Sequence, residues 1–207
     1  MNSAHPSTRS APLCVDDICA VIVTRGDVWL TEILTALPYP QLVVWNDLER
    51  GSQGCYGRYL AAAETTRPVI YFQDDDLVVE PRIHDALISM FEPGRMLVNM
   101  PSPWYETCRY DQLDQALVGA GSLVPAGLWQ PAIDTYLGEY PADQLFLDYV
   151  DVVVGMLTPY TRVDLGYRVL PCASAPNRIW TQPGAPARKA EMQRRVIELR
   201  DAQRAAA

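Results

Sequence analysis

The stretch Val69-Ile70-Tyr71-Phe72-Gln73-Asp74-Asp75-Asp76-Leu77-Val78-Val79 is apolar, ends abruptly in three consecutive carboxylates, and turns apolar again. It reads as a buried strand that delivers acid. Adjacent carboxylates repel one another and burial disfavours their charge, so a fold built around them loses stability unless a cation or a donor-rich ligand offsets it. A divalent metal is the simplest such partner. Oxygen donors suit Mg2+ or Mn2+, which take one or two protein carboxylates and complete their shell with phosphate oxygens and water. A solvated turn or helix cap is the alternative for an acid pair, but a triplet closing a wholly apolar strand favours a metal or ligand site.

The remaining composition narrows the class. A chain of 207 residues is long enough to bury a full core and too short for two ordinary domains, so one domain is expected. The net charge of -8 argues against a protein built to hold the phosphate backbone of nucleic acid. The five cysteines, Cys14, Cys19, Cys55, Cys108 and Cys172, are odd in number and lack paired zinc-like spacing, which suggests a reducing compartment rather than disulfides or structural zinc. Residues 1–12 are polar, without the apolar core of a secretory signal, and no run is long enough to span a membrane. The expectation is a soluble, cytoplasmic protein with a loose tail over residues 1–14. His5, in that tail, and His84, within a helical pattern, are read as incidental.

Outward from the acidic stretch, apolar strands alternate with helices. Ile18 to Thr24 is a strand, followed by a turn at Arg25-Gly26-Asp27 and a helix carrying Leu30, Ile33, Leu34 and Leu37. Gln41 to Trp45 is a second strand, closing on Asn46-Asp47; a Gly-rich connection then leads to a helix over Tyr56 to Ala63. After the triplet, Pro81 opens a helix with Ile83, Leu87, Met90 and Phe91 as its buried stripe, and Met96 to Met100 is a further strand ending in a rigid aromatic loop, Pro101 to Tyr105. This rhythm predicts a parallel sheet covered on both faces. Beyond it the sheet is expected to become mixed, with a Gly-interrupted strand over Leu117 to Val124 and a helix marked by Trp129, Ile133, Tyr136 and Leu137. Asp143 is a plausible N-cap for Gln144 to Leu157, although the run Val152-Val153-Val154 weakens that helix. A short strand over Tyr167 to Leu170 and a basic helix from Pro186 complete the pattern.

In open α/β sheets ligands bind in the crevice beyond the carboxyl ends of the strands. The residues there are Thr24-Arg25, Asn46-Asp47 and Asp74-Asp75-Asp76. Together they can hold a nucleotide, with Arg25 and Arg58 on base or phosphate, one carboxylate on ribose and another on a metal bridging a diphosphate. In order and spacing, Thr24-Arg25, Val43-Val44-Trp45-Asn46-Asp47 and Gln73-Asp74-Asp75-Asp76 resemble the nucleotide-binding half of GT-A glycosyltransferases, most closely the exostosin-like N-acetylhexosaminyltransferase branch, over roughly Ile18 to Arg168. The resemblance implies a Rossmann-like GT-A domain over 15–207, with a nucleotide-binding half (15–100), an acceptor and catalytic half (101–185) and a C-terminal basic helix (186–207).

It also implies roles. Asp74 or Asp75 would contact ribose and Asp76, with Asp74 beside it, would coordinate Mn2+ or Mg2+. Arg58 resembles the family's nucleotide-contacting arginine. Gly119-Ala120-Gly121-Ser122 resembles the small-residue strand beside the donor sugar, where bulk at Gly121 would collide with ligand. Asp151 resembles the active-site acid, either a base for the acceptor hydroxyl or a stabiliser of an oxocarbenium-like centre; here Asp148 and Asp151 stand in place of the adjacent acidic pair common in relatives. Arg188 and Lys189, in the first turn of the last helix, either clamp a diphosphate or form part of a solvated basic face. Trp104 and Tyr105 either stack on a sugar ring or pack within their loop. The expected activity is metal-dependent transfer of a sugar from a nucleotide-diphosphate donor, a UDP-sugar by preference, to an acceptor hydroxyl. The rivals are a haloacid-dehalogenase-like phosphatase and a non-catalytic module that binds nucleotide-sugar or divalent metal.

Overall fold

A computed structural model describes residues 12–108 and 110–206; the side chains of Pro103, Trp104, Thr107 and Ala206 lie outside that description. Within it, three strands, β1 (Ile18–Thr24), β2 (Gln41–Asn46) and β3 (Val69–Asp74), form a parallel unit with β1 in the middle. The short β4 (Leu77–Val78) follows the acids, and β5 (Met96–Asn99), β6 (Ala120–Pro125) and β7 (Tyr160–Val163) extend the sheet to the order β2-β1-β3-β6-β5-β7. Only β6 runs against its neighbours: it is antiparallel to β3 and β5, whereas β5 and β7 are parallel. The fold is thus α/β, a single domain with a mostly parallel sheet that becomes mixed in its second half. A separate pair, β4 with β8 (Arg168–Val169), closes antiparallel just past the acids.

Strand alternation explains why both sheet faces are covered. Cys19, Val21, Ile70 and Phe72 point to one side, and Ile18, Ala20, Val69 and Tyr71 to the other, each set fully buried. The chain's first helices are α1 (Thr31–Ala36), α2 (Asp47–Arg50), α3 (Gly57–Ala62) and α4 (Pro81–Met90). α4 covers the second face with Ile83 and Leu87. Met90, expected in its stripe, lies at the helix end and is 46% exposed.

The segment from Pro101 to Tyr105 is not a loop: its larger part belongs to α5 (Ser102–Thr107), followed by α6 (Tyr110–Leu113). A proline in the first turn forfeits no helical hydrogen bond, and Asp164 accepts from both the backbone N–H (3.0 Å) and the hydroxyl (2.6 Å) of Ser102. The remaining helices, α7 (Gln130–Glu139), α8 (Gln144–Leu157) and α9 (Ala185–Ala206), cover the first face. Asp143 caps α8 as expected, accepting from Phe146 N–H at 2.9 Å. The run Val152–Val154 does not break this helix, because all three valines are buried and packing overrides their β propensity. Tyr149 alone departs from helical geometry, at φ -128° and ψ 19°.

The described part of the expected tail is not loose, since Leu13 packs against the second-face core. All five cysteines are free. Among the described residues, no helix is long and apolar enough to cross a membrane.

His84 is not incidental to this core. It is completely buried on α4, edge-on to Tyr39 and Tyr71. Its Nε2 faces the Val79 carbonyl at 3.3 Å and its Nδ1 the Tyr39 hydroxyl at 3.0 Å. A carbonyl only accepts, so Nε2 carries the proton and Nδ1 of the neutral ring accepts from Tyr39. Burial drives the His84 pKa down to about 4, against weaker opposing effects of the Val79 carbonyl and Asp85. Between about 6.5 and 4 the unfolded chain therefore takes up a proton that the folded ring refuses, and stability falls on acidification by roughly 3 kcal/mol. Replacing His84 with Gln should remove this contribution: across pH 6.5 to 4.5 the melting temperature of the variant should fall less steeply than that of the parent, and equal slopes would refute the assignment.

Candidate active site

The carboxyl ends of β1, β2 and β3 share one edge of the sheet and open into a cleft of about 460 Å³. Thr24 and Arg25 line it from β1, Asp47 from the end of β2, and Asp74, Asp75 and Asp76 from the end of β3. The 51–55 loop contributes Ser52, Gly54 and Cys55, α3 contributes Arg58, α8 contributes Gln144, Asp148 and Asp151, and the 178–182 segment closes the wall with Arg178, Ile179, Trp180 and Gln182.

Arg58 organises the floor. It is 3% exposed, and a single nitrogen, Nη2, lies 2.6 Å from Asp74 Oδ1 and 3.2 Å from Asp151 Oδ2. One guanidinium thus joins the strand-borne acid to the helix-borne one, while its Nε and Nη1 have no hydrogen-bond partner among the described residues. The position is forced by local packing: a Cβ on the preceding Gly57 would come within 2.7 Å of Trp45 Nε1, so α3 can approach the end of β2 only with glycine there. Tyr59, next on α3, donates its hydroxyl to Asp151 Oδ1 at 2.7 Å. Burial raises the Asp151 pKa above the ordinary carboxylate value, with Arg58 opposing that rise and Asp74 adding to it.

The other two acids of the triplet differ in kind. Asp75 is 4% exposed and pairs with Arg178, Nη1 to Oδ1 at 2.6 Å. Burial raises its pKa and Arg178 counteracts this. Asp76 is half-buried, and its pKa is pushed up to about 7 by burial first, then by the charges of Asp74 and Asp75, with Arg178 opposing. This is an oxygen-only donor set in a field that favours a cation, the chemistry of hard divalent metals. Among the described residues, no three His, Cys, Asp or Glu side chains are grouped to hold a metal by themselves. A cation here could take only one or two protein carboxylates, and its other ligands would have to come from substrate and water.

Thr24, Arg25, Arg58, Asp74, Asp75, Asp76, Asp148 and Asp151, all singled out in the sequence, come together in this cleft. Several other candidates do not. Asn46 caps α2, accepting from Leu48 N–H at 3.2 Å, and Asp47 takes its place in the wall. Asp47 in turn holds the 51–54 loop through the backbone N–H groups of Gln53 (2.7 Å) and Gly54 (3.3 Å). Gly121 is the extra residue of a bulge where Phe72 pairs with Ser122 and Gln73 with Ala120; its φ is +92° and it faces Val79 and Tyr71, away from the cleft. The close approach belongs instead to Gly119, whose carbonyl accepts from Asp74 N–H at 2.7 Å and where a Cβ would overlap the Asp74 carboxylate.

Arg188 and Lys189 are not among the residues that line the cleft, although Arg188 lies 3.5 Å from Oε1 of the cleft-wall Gln182. Arg188 donates to the Pro183 carbonyl at 2.8 Å, and Lys189 reaches the Tyr110 hydroxyl at 2.7 Å over that residue's ring, in a setting whose burial lowers its pKa. Arg194 and Arg195 of the same helix pair with Glu191, which fits a self-neutralising basic face. Tyr105 lies under the Arg162 guanidinium, 4.3 Å from its ring centre, and the Trp104 side chain lies outside the described residues. Sequence reasoning missed Arg178, Trp180 and Gln182, for which the only signal was an Arg and a Trp within a Pro-rich stretch of no periodicity.

No protein-family model matches the chain, and no curated protein matches it either.

Two outcomes follow from this geometry. Gly119 does not have a left-handed backbone, so a methyl group there meets the Asp74 carboxylate first; Gly119→Ala should displace Asp74 from Arg58, and any cation or nucleotide held through Asp74 should bind at least tenfold more weakly in calorimetry while the protein stays folded. Unchanged binding would show that the Asp74 position does not matter. Asp76, with its raised folded-state pKa, is fully compatible with folding below about pH 4 and costs stability as pH rises through about 7. In metal-free buffer at pH 8, Asp76→Asn should therefore raise the melting temperature by a few degrees, an effect absent near pH 4.

Proposed function

We propose that the protein is a metal-dependent glycosyltransferase of GT-A fold, moving a sugar from a nucleotide-diphosphate donor, by preference a UDP-sugar, to an acceptor hydroxyl. The observation that carries this reading is the joining of Asp74 to Asp151 by the buried Arg58, which places a strand-end acid triplet and a separate carboxylate in one cleft. The parallel β2-β1-β3 unit, with its polar strand ends at that cleft, supports the fold assignment.

In this reading Asp76, with Asp74 beside it, holds Mn2+ or Mg2+. The cation, when bound, offsets the negative charge that develops on the departing diphosphate. Thr24, Arg25 and Asp47 face the nucleotide from the β1 and β2 ends. Asp151 is the catalytic carboxylate, and two roles are open to it. As base, it takes the proton of the acceptor hydroxyl while that oxygen bonds to the anomeric carbon and the bond from this carbon to the diphosphate oxygen breaks. Its raised pKa suits that task, since a more basic carboxylate is the better proton acceptor. On a retaining path it would instead stabilise positive charge at the anomeric centre. Tyr59 fixes the orientation of Asp151 in both cases. β1 ends in Thr24-Arg25 rather than in an acid, which favours this reading over a phosphatase that uses a nucleophilic carboxylate after its first strand.

Calorimetry with UDP, with and without Mn2+, tests the metal role: binding should depend on Mn2+ and be lost in Asp76→Ala, whereas metal-independent binding would exclude a bridging cation. A screen of nucleotide-sugars for Mn2+-dependent hydrolysis then identifies the donor. Asp151→Asn should retain donor binding and lower turnover by about a hundredfold or more. Donor binding with no turnover in the parent would instead mark a non-catalytic binding module.

A further inference from the structure

Between β8 and α9 the chain forms part of the wall of the cleft, and contacts with the acid triplet hold it there. Leu170 N–H donates to the Asp76 carbonyl at 2.7 Å, and the Arg178 guanidinium reaches Asp75 from Nη1 at 2.6 Å and the Cys172 carbonyl from Nε at 3.2 Å. On the β1 side, Arg25 donates to the Asn177 carbonyl at 2.7 Å, and Asn177 bonds to Asp27. On the other side, Tyr149 of α8 donates to the Ala185 carbonyl at 3.2 Å. The turn between these anchors, Ile179–Thr181, is closed by the Thr181 hydroxyl on the carbonyls of Ala175 (2.8 Å) and Arg178 (2.9 Å).

Trp180 sits in this pinned turn. Its neighbour Arg178 is 7% exposed, yet the indole, which lines the cleft, is 57% exposed. A lone exposed aromatic is ordinary on a protein surface; Trp29 and Leu48 are more exposed still and do not line the cleft. Trp180 differs in standing on a hydrogen-bonded turn at the wall of a polar cleft, where among the described residues its ring makes no aromatic or cation–π contact. Around it the wall carries Gln182 and, from α8, Gln144 and Asp148, the last two joined by a 2.8 Å hydrogen bond. A flat apolar face bordered by carboxamides and a carboxylate matches a pyranose, which has a C–H face and a rim of hydroxyls. The α8 side of the wall also bears Asp151, whereas Thr24, Arg25 and Asp47 lie at the strand ends.

We propose that Trp180 is a ligand-binding residue of the cleft that stacks against a sugar ring of the acceptor, and that Arg178 positions it by gripping Asp75. The proposal rests on the transferase reading for the word acceptor, but its physical content is saccharide binding. Asp75 then belongs to the machinery that shapes the wall rather than to the nucleotide contacts.

The probe is a panel of methyl glycosides, observed by saturation-transfer NMR on the full chain in the presence of UDP and Mn2+. Ring protons of at least one glycoside should receive saturation from the parent protein. Trp180→Ala, at an exposed position that leaves the core intact, should weaken this binding about five- to tenfold, Trp180→Tyr should restore most of it, and UDP affinity should stay the same in both. Arg178→Lys keeps the charge but loses the fork that spans Asp75 and Cys172, so it should weaken glycoside binding while UDP affinity is preserved. A merely structural role for Arg178 would lower both affinities together and overturn its positioning role. No glycoside signal in the UDP-bound parent, or the same signal in Trp180→Ala, overturns the role of Trp180 and leaves the transferase reading intact. Weakened UDP binding in Trp180→Ala with saturation of uracil protons would make it a nucleobase platform and also overturn the proposal. Glycoside binding that depends on Trp180 in a protein that never binds UDP would support the saccharide site and sink the transferase reading.

Discussion

The site depends on a buried guanidinium. Arg58 lies beneath the cleft with one nitrogen between Asp74 and Asp151, and removing it would leave two carboxylates facing each other in a partly desolvated floor. Buried ion pairs are seldom a net source of stability, because the desolvation of both partners offsets their attraction. Their value here is geometric. Asp74 comes from the end of a strand and Asp151 from the middle of a helix, and they share a floor because the same Nη2 reaches both. Around this bridge the packing tolerates little change: Gly57 lets α3 approach Trp45, and Gly119 leaves room for the Asp74 carboxylate.

A second guanidinium, Arg178, repeats the arrangement for Asp75 from the opposite end of the chain. Arg58 and Arg178 between them serve Asp74, Asp75 and Asp151, and Asp76 is the acid of the triplet that has no guanidinium partner among the described residues, the one whose pKa climbs to about 7. The electrostatic strain of the triplet is therefore concentrated on a half-buried oxygen donor at the cleft. That is the charge deficit which a divalent cation bridging to a diphosphate would relieve. The same arrangement ties the 171–184 segment that bears Trp180 to the acid triplet, through Arg178 on Asp75.

Much of this was legible in the amino-acid order. Apolar strands with period-two burial on both faces are recognisable without coordinates, and the expected strands over Ile18 to Thr24, Gln41 to Trp45 and Val69 to Gln73 match β1, β2 and β3 to within one residue. Where local signals competed, packing decided. The valine run in α8 stayed helical because its whole circumference is buried, and Ser102 opened a helix because Asp164, 62 residues away in sequence, accepts from it. Gly121 attracted attention as a small residue, yet its conformation serves a bulge, and it is Gly119 whose missing side chain the site requires.

The sequence by itself determined that this is an α/β chain with acids at the end of a buried strand, since periodicity and charge are local properties. It also marked Asp151 as a carboxylate apart from the triplet. Only the tertiary structure decided that Arg58 joins that residue to Asp74, that Asp75 is spent on Arg178, that Asn46 caps a helix while Asp47 faces the cleft, and that Trp180 stands at its wall. The ion pairs of Arg58 and Arg178 among these span from 16 to 103 residues of chain. Contacts of that separation are set by how sheet and helices pack, and no local pattern in the sequence encodes them.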